Sequence, residues 1–404
     1  APVEELDCTA ATTKKPWVTA LAWVLAAVAI LPAIFQWHPP PAATGLGRTV
    51  RTMIGNLAAL ALCYWMYRVE AKRLSWRKAF VVVFLVFLFT AITNNLHSFN
   101  VDHASNYFPG RLNTFWQIDL HNLTMQLSAA ALPHSYRFLP NCLVRWLELA
   151  GFGYEGARNL YRLVAGLLIY YCIYRYARLF TNEIGGILAM ALVAIIYPVS
   201  FEYYAGQLTD PLSHLSFVLA FIFLETEQFG YLFATIIIGS LAKETVLALT
   251  GYYLVFYFKE KNYRVNAIAL SACTLISYLG VRLFVLKGGI AYSEVSGMNP
   301  TLEHQNWHDY RWPHVVLATL GAFIPFLIVG WNETPLSLKR LSLFLIPVLF
   351  TSSVFFSWLV ETRNFMPAVF VLAVIAANYI ICTFANSQPP LPGVAGNHLL
   401  SPDR

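Results

Sequence analysis

Apolar runs separated by short polar segments set the rhythm of this chain. They fall at 17–35, 52–67, 79–95, 159–175, 184–199, 210–224, 230–242, 245–258, 265–286, 314–330, 341–359 and 365–384. A helix needs about 20 mainly apolar residues to span the hydrocarbon layer, and fewer where its ends snorkel. In lipid every backbone N–H and C=O must be satisfied within the segment, which selects helices over open strands. The pattern predicts an all-α polytopic membrane protein with about 12 transmembrane helices. The runs at 230–242 and 245–258 are short enough for half-helices. The run at 17–35 has no small-residue cleavage site after it and reads as a true first helix.

Two polar intervals are long. The first, 96–158, forms a long first outer loop. Within it, Leu139 to Leu147 repeats apolar residues at three- and four-residue steps, which predicts an amphipathic surface helix. The second, 287–313, is rich in Gly, His and Trp and has no clear period. The expected organisation is helices one and two at 1–78, a transmembrane core at 79–385 and a disordered, Pro-containing cytoplasmic tail at 386–404. Basic residues fix the orientation. Lys14 and Lys15, the group from Arg68 to Lys78, Arg175 with Arg178, the group from Lys259 to Arg264, and Lys339 with Arg340 all fall in loops on one side. That side is expected to be cytoplasmic, with both termini there and the bilayer a bacterial cytoplasmic (inner) membrane.

Composition agrees. Hydrophobic residues make up 58% and charged residues 12% of the chain, against roughly 25% charged in soluble domains. The net charge of +6 is dispersed between apolar runs as a topology signal rather than gathered into a phosphate-tracking patch, which argues against a nucleic-acid partner. Of six cysteines, Cys63, Cys172, Cys273 and Cys382 lie inside apolar runs, and no zinc-type spacing occurs. They read as small buried hydrophobes.

Charged groups near membrane depth carry the chemical signal, because each costs several kcal/mol unless paired or hydrated. Placed on this topology they fall on the outer side: Asp102, Arg137, Asp210, Lys243, Glu244, Glu361 and Arg363. They sit in Asn100-Val101-Asp102-His103, Tyr136-Arg137-Phe138-Leu139-Pro140, Asp210-Pro211-Leu212, Lys243-Glu244-Thr245 and Glu361-Thr362-Arg363. An outer cavity lined by carboxylates and cations is the expectation.

In order and common side, these segments resemble the GT-C superfamily of integral membrane glycosyltransferases, which take sugars from polyprenyl-phosphate carriers. The resemblance covers roughly 79–385. It implies that Asp102 acts as the catalytic base or metal-orienting acid, and that Arg137, Lys243 and Arg363 hold the departing lipid phosphate. Asp210 and Glu361 then orient the acceptor or pair with those cations, and Glu244 is a further substrate-binding residue. Such roles suit the chemistry: a carboxylate deprotonates the acceptor hydroxyl and cations stabilise the growing phosphate charge. Where many members carry two neighbouring acids, this chain has His103 after Asp102, and the next acid is Asp119. A divalent metal is left open as cofactor. The implied partners are membrane lipids, a polyprenyl-phosphate sugar donor and protein partners in a membrane complex.

Plainer roles compete for each residue. Asp210, followed by Pro211, fits a helix N-cap. Lys243 and Glu244 fit a snorkelling pair at a helix turn. Glu361 and Arg363 fit a salt bridge that fixes packing, and Arg137 an anchor to lipid headgroups. The outer histidines His103, His121, His134, His304, His308 and His314 have no ligand spacing beyond His304 with His308, in a segment of doubtful helicity. Two other function classes remain: a non-catalytic subunit that keeps a transferase-like fold, and a transporter built on the short helices.

Overall fold

A computed structural model describes residues 113–128, 131, 134–197, 208–285, 300–310 and 312–386. The described residues are helical, with no strand among them. The helices are α1 (Asn113–Met125), α2 (Phe138–Leu149), α3 (Tyr154–Ala177), α4 (Glu183–Ile196), α5 (Thr209–Glu225), α6 (Phe229–Ser240), α7 (Ala248–Tyr257) and α8 (Lys261–Val285). They are followed by α9 (Pro300–His308), α10 (Trp312–Val316), α11 (Ile324–Val329), α12 (Leu336–Phe356) and α13 (Met366–Asn386). Each apolar run from 159–175 onward holds helix. The runs at 17–35, 52–67 and 79–95, and the tail at 387–404, lie outside the described residues.

Three helical stretches among the described residues are long and apolar enough to cross a membrane: Lys261–Leu283, Leu336–Phe356 and Thr362–Thr383. The chain is a helical membrane protein. The surroundings of these stretches differ sharply. The last is 94% buried within the protein and the first only 17%. α13 is therefore the axis of the bundle, packed by α4, α12 and the α10–α11 segment. α8 lies at the periphery, where Val265, Leu275 and Ile276 are exposed. Apolar side chains on that outer face have lipid as their solvent, so exposing them costs nothing.

Local sequence explains the interruptions. The run at 314–330 is not one helix. A π turn at Leu317–Gly321 separates α10 from α11, and Pro325 sits in the first turn of α11. Proline lacks an amide hydrogen and tolerates only that first turn, so the helix restarts there instead of continuing. The run at 245–258 likewise opens with a 3-10 turn, Glu244–Leu247, before α7. Asn182 caps α4 by accepting from the Gly185 amide at 2.9 Å. In the long interval 96–158 the predicted amphipathic helix is α2, whose Trp146 and Leu149 are exposed while Val144 is fully buried.

Candidate functional site

Four elements bring their ends to one point. α5 begins at Thr209, α6 ends just before Lys243, and the segment 357–365 joins α12 to α13. Asp210 lies here with no exposed surface. One of its carboxylate oxygens accepts from Lys243 Nζ at 2.8 Å and the other from Arg363 Nη1 at 2.7 Å. Arg363 Nη2 donates to Glu361 at 2.8 Å, and the Ser357 hydroxyl donates to the same Glu361 oxygen at 2.8 Å. Asn364 closes the ring. Its carbonyl oxygen accepts from Lys243 Nζ at 2.8 Å, and its amide donates to Ser357 Oγ at 2.9 Å. Two carboxylates thus face two cations, and the formal charge of the cluster cancels.

His214, one turn along α5, locks this cluster to the aromatic core. Its Nε2 lies 2.9 Å from the Arg363 carbonyl oxygen and its Nδ1 lies 3.0 Å from the Tyr197 hydroxyl. A carbonyl only accepts, so Nε2 carries the hydrogen and Tyr197 donates to Nδ1 of a neutral ring. The imidazole in turn meets Phe370 of α13 edge to face.

A second ion pair adjoins the first cluster. Arg137, at the entry to α2, makes a two-pronged contact with Glu244 through Nε at 2.8 Å and Nη2 at 2.6 Å. This is the fork geometry that suits guanidinium and carboxylate. The Leu139 amide also donates to the Leu241 carbonyl at 3.2 Å, so the surface helix is tied to the end of α6 by backbone as well. Burial alone raises the Glu244 pKa, but the Arg137 guanidinium overrides it and holds the carboxyl at about 2. Nearby His134 is pushed down to about 3, chiefly by burial and then by Arg137 and Arg363.

Beside Glu244 a cleft opens, lined by Tyr136, Ser240, Ser277, Tyr278 and Arg282. The Arg282 guanidinium stacks 3.3 Å from the Tyr278 ring centre and 4.6 Å from that of Tyr136. Cation–π contacts of this kind hold an arginine in place without neutralising it. Gly239, in the last turn of α6, permits the close approach behind the cleft. A Cβ there would lie 2.7 Å from Cβ of Ser216 on α5.

Six of the seven residues singled out in the sequence therefore gather at one end of the bundle, while Asp102 lies outside the described residues. The plainer roles are revised in detail. Asp210 makes no cap: Leu208 occupies that position, without a side-chain cap bond. Lys243 and Glu244 each bond a different partner, Asp210 and Arg137. Glu361 and Arg363 do pair, and Arg363 also bridges to α5. Sequence reasoning passed over Asn364, His214 and Arg282, although the last two are ionisable residues inside apolar runs, which is itself a signal of function or pairing. Arg158 and Arg162, both 1% exposed on α3, carry the same signal. Arg158 donates to Gln117 of α1 at 2.8 Å.

Of the histidines, His121 lies between Asn141 at 2.9 Å and Glu148 at 3.2 Å, tying α1 to α2. His304 and His308 do sit on a helix, α9, with ring centres 3.9 Å apart. Among the described residues no three His, Cys, Asp or Glu side chains form a metal-holding group. Compared with protein-family models, curated proteins and solved structures, the chain matches none.

Proposed function

We propose that this protein is a glycosyltransferase of the GT-C kind, moving a sugar from a polyprenyl-phosphate donor to an acceptor at the outer side of the membrane. One observation carries the reading. Arg137, Asp210, Lys243, Glu244, Glu361 and Arg363, picked out as short separate segments, converge at one end of the bundle next to an Arg282-lined cleft. In this reading Asp102 takes the proton of the acceptor hydroxyl, whose oxygen attacks the anomeric carbon. The bond from that carbon to the phosphate oxygen breaks, and the lipid phosphate leaves with the electron pair. Cations at the cleft stabilise the leaving charge. Arg282 lines the cleft, and Arg137 reaches it through the lining residue Glu244. Lys243 and Arg363 reach a phosphate only by exchanging a carboxylate oxygen for a phosphate oxygen. A divalent metal, if used, is held through Asp102.

The test is transfer from a radiolabelled polyprenyl-phosphate sugar by the purified protein in lipid nanodiscs. Transfer that is lost in Asp102→Asn and in Arg282→Gln supports the proposal. Absence of both transfer and donor-lipid binding in the wild type defeats it.

A second reading has its own observation. The Asp210–Lys243–Arg363–Glu361 cluster is buried and self-neutralised, which is what a purely architectural lock requires. On this reading the protein is a non-catalytic subunit of a larger membrane complex. Stable co-purification of partners, with no phenotype for Asp102→Asn, selects it.

A further inference from the structure

The opposite end of the bundle carries an unrelated feature. α5 runs roughly 22 Å from Asp210 to its last residue, Glu225. There the chain turns sharply into α6. Glu227, in that turn, has φ +55, a left-handed conformation that non-glycine residues rarely adopt. The turn presents the exposed Glu227 carboxylate to an open cleft. Phe229, Tyr253, Tyr257, Tyr263 and Asn266 are among the other residues that line it.

Its walls are aromatic on several sides. The Tyr253 and Tyr257 rings stack at 4.7 Å and 13°. Tyr263 stands edge-on to Tyr257 at 5.5 Å and 75°. Phe229 tilts against Tyr253 at 5.8 Å. Glu227 and Tyr263 line the same cleft, so the acid stands beside the aromatic wall. Aromatic faces are electron-rich, and a carboxylate beside them adds a full negative charge. Both repel anions, whereas a neutral apolar ligand would gain nothing from Glu227. The chemistry that gains from both is an organic cation.

Two basic side chains near this end are engaged by other groups. Arg264 stacks on Phe258 at 5.5 Å and donates to the Phe258 carbonyl at 3.2 Å. Arg340 lies over Phe256 at 5.7 Å. We propose that this cleft is a binding site for an alkylated ammonium group, received between the Tyr257, Tyr263 and Phe229 rings with Glu227 as counter-charge. The rings sit at the ends of the helices that enter and leave this end of the bundle, and aromatic residues at the ends of membrane helices favour the headgroup layer. The ammonium group therefore belongs either to a choline-type headgroup or to a soluble amine. The inference is independent of the transferase reading.

Tetramethylammonium is the probe, with neutral tert-butanol as its isostere, and ligand-observed NMR on the full chain in nanodiscs as the readout. In phosphatidylglycerol discs tetramethylammonium binds and tert-butanol does not displace it. Glu227→Gln and Tyr263→Leu each weaken binding about five- to tenfold, while Tyr263→Phe, which keeps the ring, stays within about twofold. Weaker binding in phosphatidylcholine discs identifies the headgroup as occupant, and equal binding identifies a soluble amine; both uphold the site. Absence of binding in phosphatidylglycerol discs overturns it. So does displacement by tert-butanol, or unchanged affinity in both Glu227→Gln and Tyr263→Leu.

Discussion

Asp210 and Arg363 stand 153 positions apart in the chain, yet a carboxylate oxygen of the first accepts from Nη1 of the second at 2.7 Å with both side chains buried. This bond joins the start of α5 to the segment before α13. Removing a single member of a buried ion network leaves an uncompensated charge, which costs more than the network contributes as a whole.

Asp210→Asn therefore destabilises the protein by about 3–5 kcal/mol, because Lys243 and Arg363 remain buried with one carboxylate between them. Lys243→Met in the same background recovers part of that loss. The check is a double-mutant cycle on thermal unfolding in detergent. Additive effects would show that the two side chains do not interact.

Acid should weaken the fold in two steps. His134 has its pKa lowered from 6.5 to about 3, so the unfolded chain takes up this proton first and stability falls as pH drops from 6.5 toward 3. Glu244 is lowered from 4.5 to about 2, so its contribution is complete above pH 4.5 and is lost as pH falls toward 2. Denaturant titrations across this range should show the upper step flattened in His134→Gln. Only the lower step should be flattened in Glu244→Gln.

Asn306 on α9 is 1% exposed, and its amide group donates to the carbonyls of Ser353, Val354 and Ser357 while its oxygen accepts from the Leu359 amide. It completes the end of α12. Asn306→Ala strands these groups and costs about 1–3 kcal/mol. Amide exchange at residues 353–359 should accelerate, whereas exchange in the middle of α13 should not change.

The approach of α5 to α6 at Gly239 is tighter than any side chain permits, as small residues allow in packed membrane helices. Gly239→Ala costs about 1–3 kcal/mol through overpacking against Ser216. Combining it with Ser216→Gly restores much of the loss. If Gly239→Ala alone is neutral in thermal unfolding, the helices are further apart than described.

From residue 159 onward, sequence periodicity located helices but not their interruptions or partners. The run at 184–199 became α4, Glu183–Ile196, because a cap residue and an unbroken apolar stretch agree there. The run at 314–330 split because Pro325 and a π turn act against an otherwise suitable composition. Six of the charges singled out were legible as a group, since each is costly near membrane depth. Their pairing was not. Lys243 has an acid as its next neighbour and bonds instead to one 33 positions back. Arg137 finds its acid 107 positions ahead. Such choices are made by helix packing, which a linear pattern does not encode. Asp210 looked like a helix cap because Asp before Pro is the usual sequence there, but two buried cations compete for it more strongly than backbone amides do.

The position of α13 at the centre of the bundle has a consequence for synthesis. Asp210 leaves the ribosome 153 residues ahead of Arg363, an interval of roughly 8–30 s at ordinary elongation rates. During that time α4 and α5 leave open the space that α13 later fills, and an acid waits for one of its two cations. Lipid, water or an insertion factor must occupy the vacancy meanwhile. Degradation of newly made chains should therefore depend on how quickly the last span arrives, and slowing translation between 225 and 363 should lower yield without altering the protein that survives.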